Sequence, residues 1–122
     1  DFAVDTAKAT IRISKTDSIL AKTSLVEMKN ISMDMLKKSM TAFIEEDIAL
    51  AKAVGELDDK VDQKNHENYA VLTDYLKESP QDIEQTLQLL FINRFVERAA
   101  DHITNMAEST AYFIKGQLFD LN

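Results

Sequence analysis

The sequence predicts an all-α fold, an antiparallel three-helix bundle preceded by an extra N-terminal helix. Three observations carry that expectation. Two Gly and one Pro in 122 residues leave far too little turn chemistry for a β-sandwich or an α/β fold. Hydrophobic residues at 45% and charged residues at 29% are the balance of a globular chain rather than a disordered one. Apolar residues also recur at three- and four-residue spacing through long stretches between sparse breaks.

Residues 1–14 place Val4, Ala7 and Ile11 at helical spacing and fade into the polar "SKTDS". A second helix is expected from about 22 to 45, with Thr23 or Ser24 as N-cap and Glu27 in capping-box reach of Ser24. Leu25, Met28, Met35 and Ala42 form its apolar stripe. A third, roughly 46–78, carries Ile48, Ala51, Val54, Val61, Leu72 and Leu76. Gly55 inside it weakens it by about 1 kcal/mol relative to Ala. "ESPQD" then breaks the pattern: Pro80 suits a first helical turn after Ser79 as N-cap, with Asp82 and Glu84 near the positive helix end. The fourth helix runs to Gly116, expected as its C-terminal stop.

Helices this long bury their stripes only against each other, so residues 22–117 should form the bundle. The first helix is left with an apolar face of its own. That face should seek cover on a neighbouring molecule, so a homo-oligomer is expected. Met28, Met33, Met35, Met40 and Met106 read as core filler. Phe91, Phe95, Tyr112 and Phe113 read as packing or a contact surface.

A net charge of −7 and a pI near 4.7 repel nucleic acid, and the lysines are too scattered to make a basic patch. Metal cations or basic protein surfaces suit such a chain better. Without cysteine there is no disulfide framework and no thiolate ligand or nucleophile. No apolar run exceeds four residues, as in "LLFI", Leu89 to Ile92, so nothing spans a bilayer. No Gly-rich phosphate loop and no G-x-S-x-G elbow occurs. Gln63 lies three residues before His66 and Ala99 three before His102, so the Glu-x-x-His signature of carboxylate-bridged oxidases is missing. No catalytic residue is expected.

The chemistry-bearing pattern is a strip of oxygen side chains. Asn93, Glu97, Asp101, Asn105 and Glu108 follow at spacings of four, four, four and three, on one strip of the fourth helix. Asp58, Asp62 and His66 make a similar strip on the third. Such strips are usually the solvated side of an amphipathic helix. The functional alternative has Glu97 and Asp101 facing Asp58 and Asp62 and binding a divalent metal. All-oxygen ligation favours hard cations such as magnesium, manganese or iron. His102 is read as a half-buried residue in preference to a ligand, and His66 as a solvated one.

The stretch "LLFINRFVERAADHITNMAESTAYFIKGQ" closely resembles the last helix of the PhoU family. Its motif runs E-R-x-x-D-H-x-x-N-x-A-E, matched here by Glu97, Arg98, Asp101, His102, Asn105, Ala107 and Glu108. Ala99-Ala100 stands where Ile-Gly or Ile-Ala is common, and both versions keep small side chains beside the carboxylates. "MLKKSMTAFIEEDIALAKAVGELDDKVD" is similar to the two preceding helices of a repeat, with Asp58 and Asp62 as its acidic pair. The family has two three-helix repeats, and the opening "DFAVDTAKAT" echoes "DHITNMAEST". The resemblance therefore implies that residues 1–21 are the end of a truncated first repeat and that residues 22–122 are the second. Asp1 and Asp5 would then correspond to Asp101 and Asn105.

It further implies a non-enzymatic cytoplasmic protein that acts at the inner membrane face through its partners. Those partners are a phosphate ABC transporter and a sensor histidine kinase, between which it down-regulates the phosphate-starvation response. Iron, zinc, manganese or magnesium would sit on the acidic motif. Glu97 and Asp101 would be principal ligands, Asp58 and Asp62 supporting ones, and Asn105 and His102 outer or occasional ones.

Overall fold

A computed structural model describes residues 17–120, with side chains over 19–116. It contains a one-turn helix α1 (Asp17–Leu20), three long helices α2 (Leu25–Glu45), α3 (Ile48–Glu78) and α4 (Ile83–Asp120), and a single 3-10 turn, Pro80–Asp82, before α4. Short connections force consecutive long helices to run antiparallel, and each of the three packs on both others. Residues 1–16, including the helix expected over 1–14, lie outside the described residues.

Most of the core repeats at seven-residue spacing. Met28, Met35 and Ala42 from α2, Val54 and Val61 from α3, and Leu89, Ala100 and Ala107 from α4 are all essentially inaccessible to water. Each large side chain in such a position contributes about 1.5–3 kcal/mol by leaving water. Small residues at 100 and 107 let α4 approach its neighbours closely. Ile19 of α1, upstream of residue 22, is buried in the same core.

The ends of α2 use different chemistry from the expected capping box. Ser24 holds the N-cap position, but its hydroxyl makes no cap bond. Instead its backbone N–H and its hydroxyl both donate to Asn68 Oδ1 of α3, at 2.8 and 3.0 Å. Glu27 is drawn outward to accept from Lys64 of α3 at 2.7 Å. At the far end Glu46 adopts a left-handed conformation, φ 54° and ψ 45°. Asp47 follows immediately as N-cap of α3, its carboxylate accepting from Leu50 N–H at 3.0 Å. Two residues thus reverse the chain.

Two sequence expectations are corrected. Gly116 does not stop α4, which continues to Asp120. A glycine inside a helix costs only about 1 kcal/mol, which a long, cooperative helix tolerates. Met33, Met40 and Met106 are not core filler: each is about half exposed, whereas Met28 and Met35 are fully buried. Phe91, Tyr112 and Phe113 are likewise exposed, although Phe91 meets Phe95 edge-on with ring centroids 4.2 Å apart. After Ser79, Pro80 opens the 3-10 turn rather than the α-helix itself, and Tyr75 donates to Asp82 across it at 2.7 Å.

Candidate metal centre

Asp58 and Asp62 lie one turn apart on α3, and α4 brings Asp101 across to them. One carboxylate oxygen from each of the three lies within 4.8 Å of the others. One ion with oxygen ligands at about 2.0–2.6 Å spans such a spacing. Asp58 and Asp62 are half-buried, and Asp101 is exposed and closes the site on its solvent side.

Three carboxylates this close repel one another, and burial together with that repulsion raises the proton affinity of Asp58 and Asp62. Burial, then the charges of Asp62, Asp101 and Asp59, push Asp58 from the ordinary 3.8 to about 6, against a weaker opposing pull from Thr104. Asp62 is also raised, first by burial and then by Asp101 and Asp59, with His66 acting the other way. Glu97 joins the group electrostatically: burial, a side-chain hydrogen bond with Asp101, and the charges of Asp101 and Asp62 raise its carboxyl, while Arg94 lowers it.

Asp58 Oδ1 is buried with no hydrogen-bond partner. A buried, unsatisfied acceptor costs about 1–3 kcal/mol or more when charged. Asp58, Asp62 and Asp101 each bring one carboxylate oxygen to this point, so the residues present fit a hard cation in chemistry and spacing. The arrangement offers oxygen ligands suited to holding a cation.

The structure therefore brings Asp58, Asp62 and Asp101 together and sets Glu97 beside them. His102 is exposed and is not part of the carboxylate group; as the neighbour of Asp101 it projects about 100° away around the helix. Asn105, one turn beyond Asp101, is exposed. Asp1 and Asp5 lie outside the described residues.

Asn93 leaves the strip altogether. It is 2% exposed, accepts from Asn68 Nδ2 at 3.1 Å and donates to Asn65 Oδ1 at 2.8 Å and to the Asn65 carbonyl at 3.1 Å. With Ser24 on Asn68, this polar knot ties all three helices together. A readable signal existed for it. Asn68 lies seven residues after Val61, and Asn93 seven before Ala100, so both fall in the phase of the core.

Comparison with known proteins gives a consistent match. The family model described as PhoU domain matches residues 25–110. A Clostridium acetobutylicum protein is 34% identical over 122 residues, covering the whole of this chain and 56% of its own length. One from Aquifex aeolicus is 33% identical over 118 residues, 97% of this chain and 53% of its own. One from Deinococcus radiodurans is 26% identical over 116 residues, 95% of this chain and 54% of its own. All three are named phosphate-specific transport system accessory protein PhoU homolog. The chain spans about half the length of these curated relatives.

Proposed function

This chain belongs to the PhoU domain family, and from that premise we propose that it serves as an accessory regulator of phosphate uptake and phosphate-starvation signalling, without catalytic activity. In this reading the bundle links a phosphate ABC transporter to a sensor histidine kinase and meets the membrane only through those partners. Its compartment is the cytoplasm, and it works as a homo-oligomer. No helix among the described residues is long and apolar enough to cross a membrane. Residues 22–122 act as one three-helix repeat, and residues 1–21 as the end of a preceding one.

The face that carries the function is the carboxylate group. The supporting observation is the convergence of one carboxylate oxygen from each of Asp58, Asp62 and Asp101, together with an Asp58 Oδ1 that is buried without a hydrogen-bond partner. Asp58, Asp62 and Asp101 hold a divalent or ferric ion, with Glu97 beside them. The ion supplies the positive charge that offsets their repulsion. Without it, burial and that repulsion raise the proton affinity of Asp58 and Glu97, and Arg94 offsets part of the charge on Glu97. Binding across α3 and α4 locks those helices together and presents a fixed surface to protein partners.

Thermal unfolding at neutral pH tests this with magnesium, manganese, ferric and zinc ions in turn. At 100 times its Kd an ion stabilises the fold by about 2.7 kcal/mol. The reading requires at least one ion to raise Tm in the wild type and not in Asp62→Asn. If none does, the metal is withdrawn.

A second reading follows from the exposure of Asp101: the same face docks, metal-free, on basic partner surfaces. Asp101→Lys in the presence of chelator separates the two. Lost partner binding supports docking, and intact partner binding with lost metal supports ligation.

A further inference from the structure

We infer that the groove along the α3–α4 seam is a docking site for a short amphipathic helix of a partner protein, one that carries apolar anchors followed by two acidic residues. Asn65 and Tyr69 of α3 line one side of the groove, and Leu87, Phe91 and Arg94 of α4 the other, with the buried Asn93 between them. Its volume is about 340 Å³, at the low end of the ~300–1,000 Å³ of small-molecule sites. A groove of this size, open along the seam, suits one or two anchor side chains better than an enclosed cofactor.

The site is apolar at one end and cationic at the other. Tyr69, Leu87 and Phe91 each leave about half of their surface in water. Along α4, Leu87, Phe91, Arg94 and Arg98 follow at steps of four, three and four, which is a single line about 16 Å long. Arg94 and Arg98 are exposed and share a second, smaller cleft with Phe91. The chain has a net charge of −7 and three arginines, two of which stand here one turn apart. Neither forms an ion pair with a described residue. Glu97 lies near enough for Arg94 to lower its carboxyl, but the guanidinium forks stay open to a carboxylate from outside.

Charge decides the occupant. Nucleic acid and anionic membranes are repelled by the chain as a whole, whereas a helix with only two acidic residues meets just the local arginines. Laid on the open seam, it completes a four-helix arrangement and buries its own apolar stripe. Apolar residues at i and i+4 cover Leu87 and Phe91, and carboxylates at i+7 and i+11 reach Arg94 and Arg98. Arginine suits that role because its planar fork can hold a carboxylate through two hydrogen bonds. Tyr and Arg are also the residue types enriched where interfaces concentrate their binding energy. Asp101, three residues after Arg98, limits the acidic run to two positions, since a third acid would face the carboxylate group.

The test uses the full chain in chelator and two fluorescein-labelled, alanine-based helical peptides. One carries Leu at i, Phe at i+4 and Glu at i+7 and i+11; the other replaces both Glu by Lys. Fluorescence anisotropy should show saturable binding of the Glu peptide, and binding at least about 10-fold weaker for the Lys peptide. The double variant Arg94→Glu, Arg98→Glu should invert that preference, which loss of folding cannot mimic. Tyr69→Ala should weaken the Glu peptide about 10-fold, with far-UV circular dichroism confirming unchanged helix content. No saturable binding of the Glu peptide up to about 1 mM would overturn the inference. So would equal affinity for the two peptides, or an unchanged preference in the double variant. Should the double variant fail to fold, Arg94→Gln decides: it should narrow the preference, and an unchanged preference would overturn the inference. Failure would leave the metal reading standing, because the assay holds no free cation and alters no carboxylate.

Discussion

Neutralising Asp58 should stabilise the protein when no cation is available, although the residue sits at the heart of the candidate site. Its folded-state value of about 6 against an ordinary 3.8 corresponds to about 3 kcal/mol at 1.36 kcal/mol per unit. The carboxyl is only part-buried, so solvent screening cuts this to about 1 kcal/mol. Because the folded value is raised, the stabilising contribution comes from the protonated form. It is complete below pH 3.8 and is lost as pH rises through about 6. Asp62 and Glu97 are shifted in the same direction, so wild-type stability in chelator should decline over this window. Asp58→Asn removes one charge and one source of the decline. At about pH 7.5 it should gain about 1 kcal/mol, or about 4 °C in Tm, and near pH 4 it should match the wild type. Urea unfolding across that range in chelator measures both ends. With a binding cation present the order should reverse, as the variant forfeits a ligand. A variant less stable than wild type at neutral pH in chelator, or two parallel pH profiles, would refute the electrostatic account.

Two further outcomes test the scaffold. Gly55→Ala should gain about 0.5–1 kcal/mol in urea unfolding, since a Cβ added there meets nothing within 4 Å and the backbone is not left-handed. Asn93→Ala should lose about 1–3 kcal/mol, because it strips partners from the buried Asn68 and from Asn65.

The fold was legible wherever one physical signal dominated. Pro80 marked the α3–α4 break, and Leu25, Met28, Met35 and Ala42 sit in the core as their spacing requires. Met33 and Met40 misled because α2 is apolar on two faces. Periodicity identifies a helix with two stripes without saying which one has a neighbour. Gly116 misled because a helix stop needs a left-handed backbone, and glycine merely permits one.

In the acidic strip the spacing of four was right and its straightness was not. Successive i+4 steps drift by about 40° around the helix. From Asn93 to Asn105 the line therefore winds from core to solvent: Asn93 buried, Glu97 half-buried, Asp101 and Asn105 exposed. The carboxylate group forms where that spiral crosses the edge of α3. Its meeting with Asp58 and Asp62 depends on how α3 and α4 are aligned, which no single helix encodes.

That alignment has a keeper. The Ser24–Asn68–Asn93–Asn65 knot acts as an index pin between sliding rods. Apolar ridges would tolerate a shift of α4 by one turn, about 5.4 Å, but such a shift would strand these amides in a dry interior. By forbidding it, the asparagines one to three turns away determine which acids share a common point in space. A mutation there would detune the acidic face from a distance, with every carboxylate still in place along its own helix.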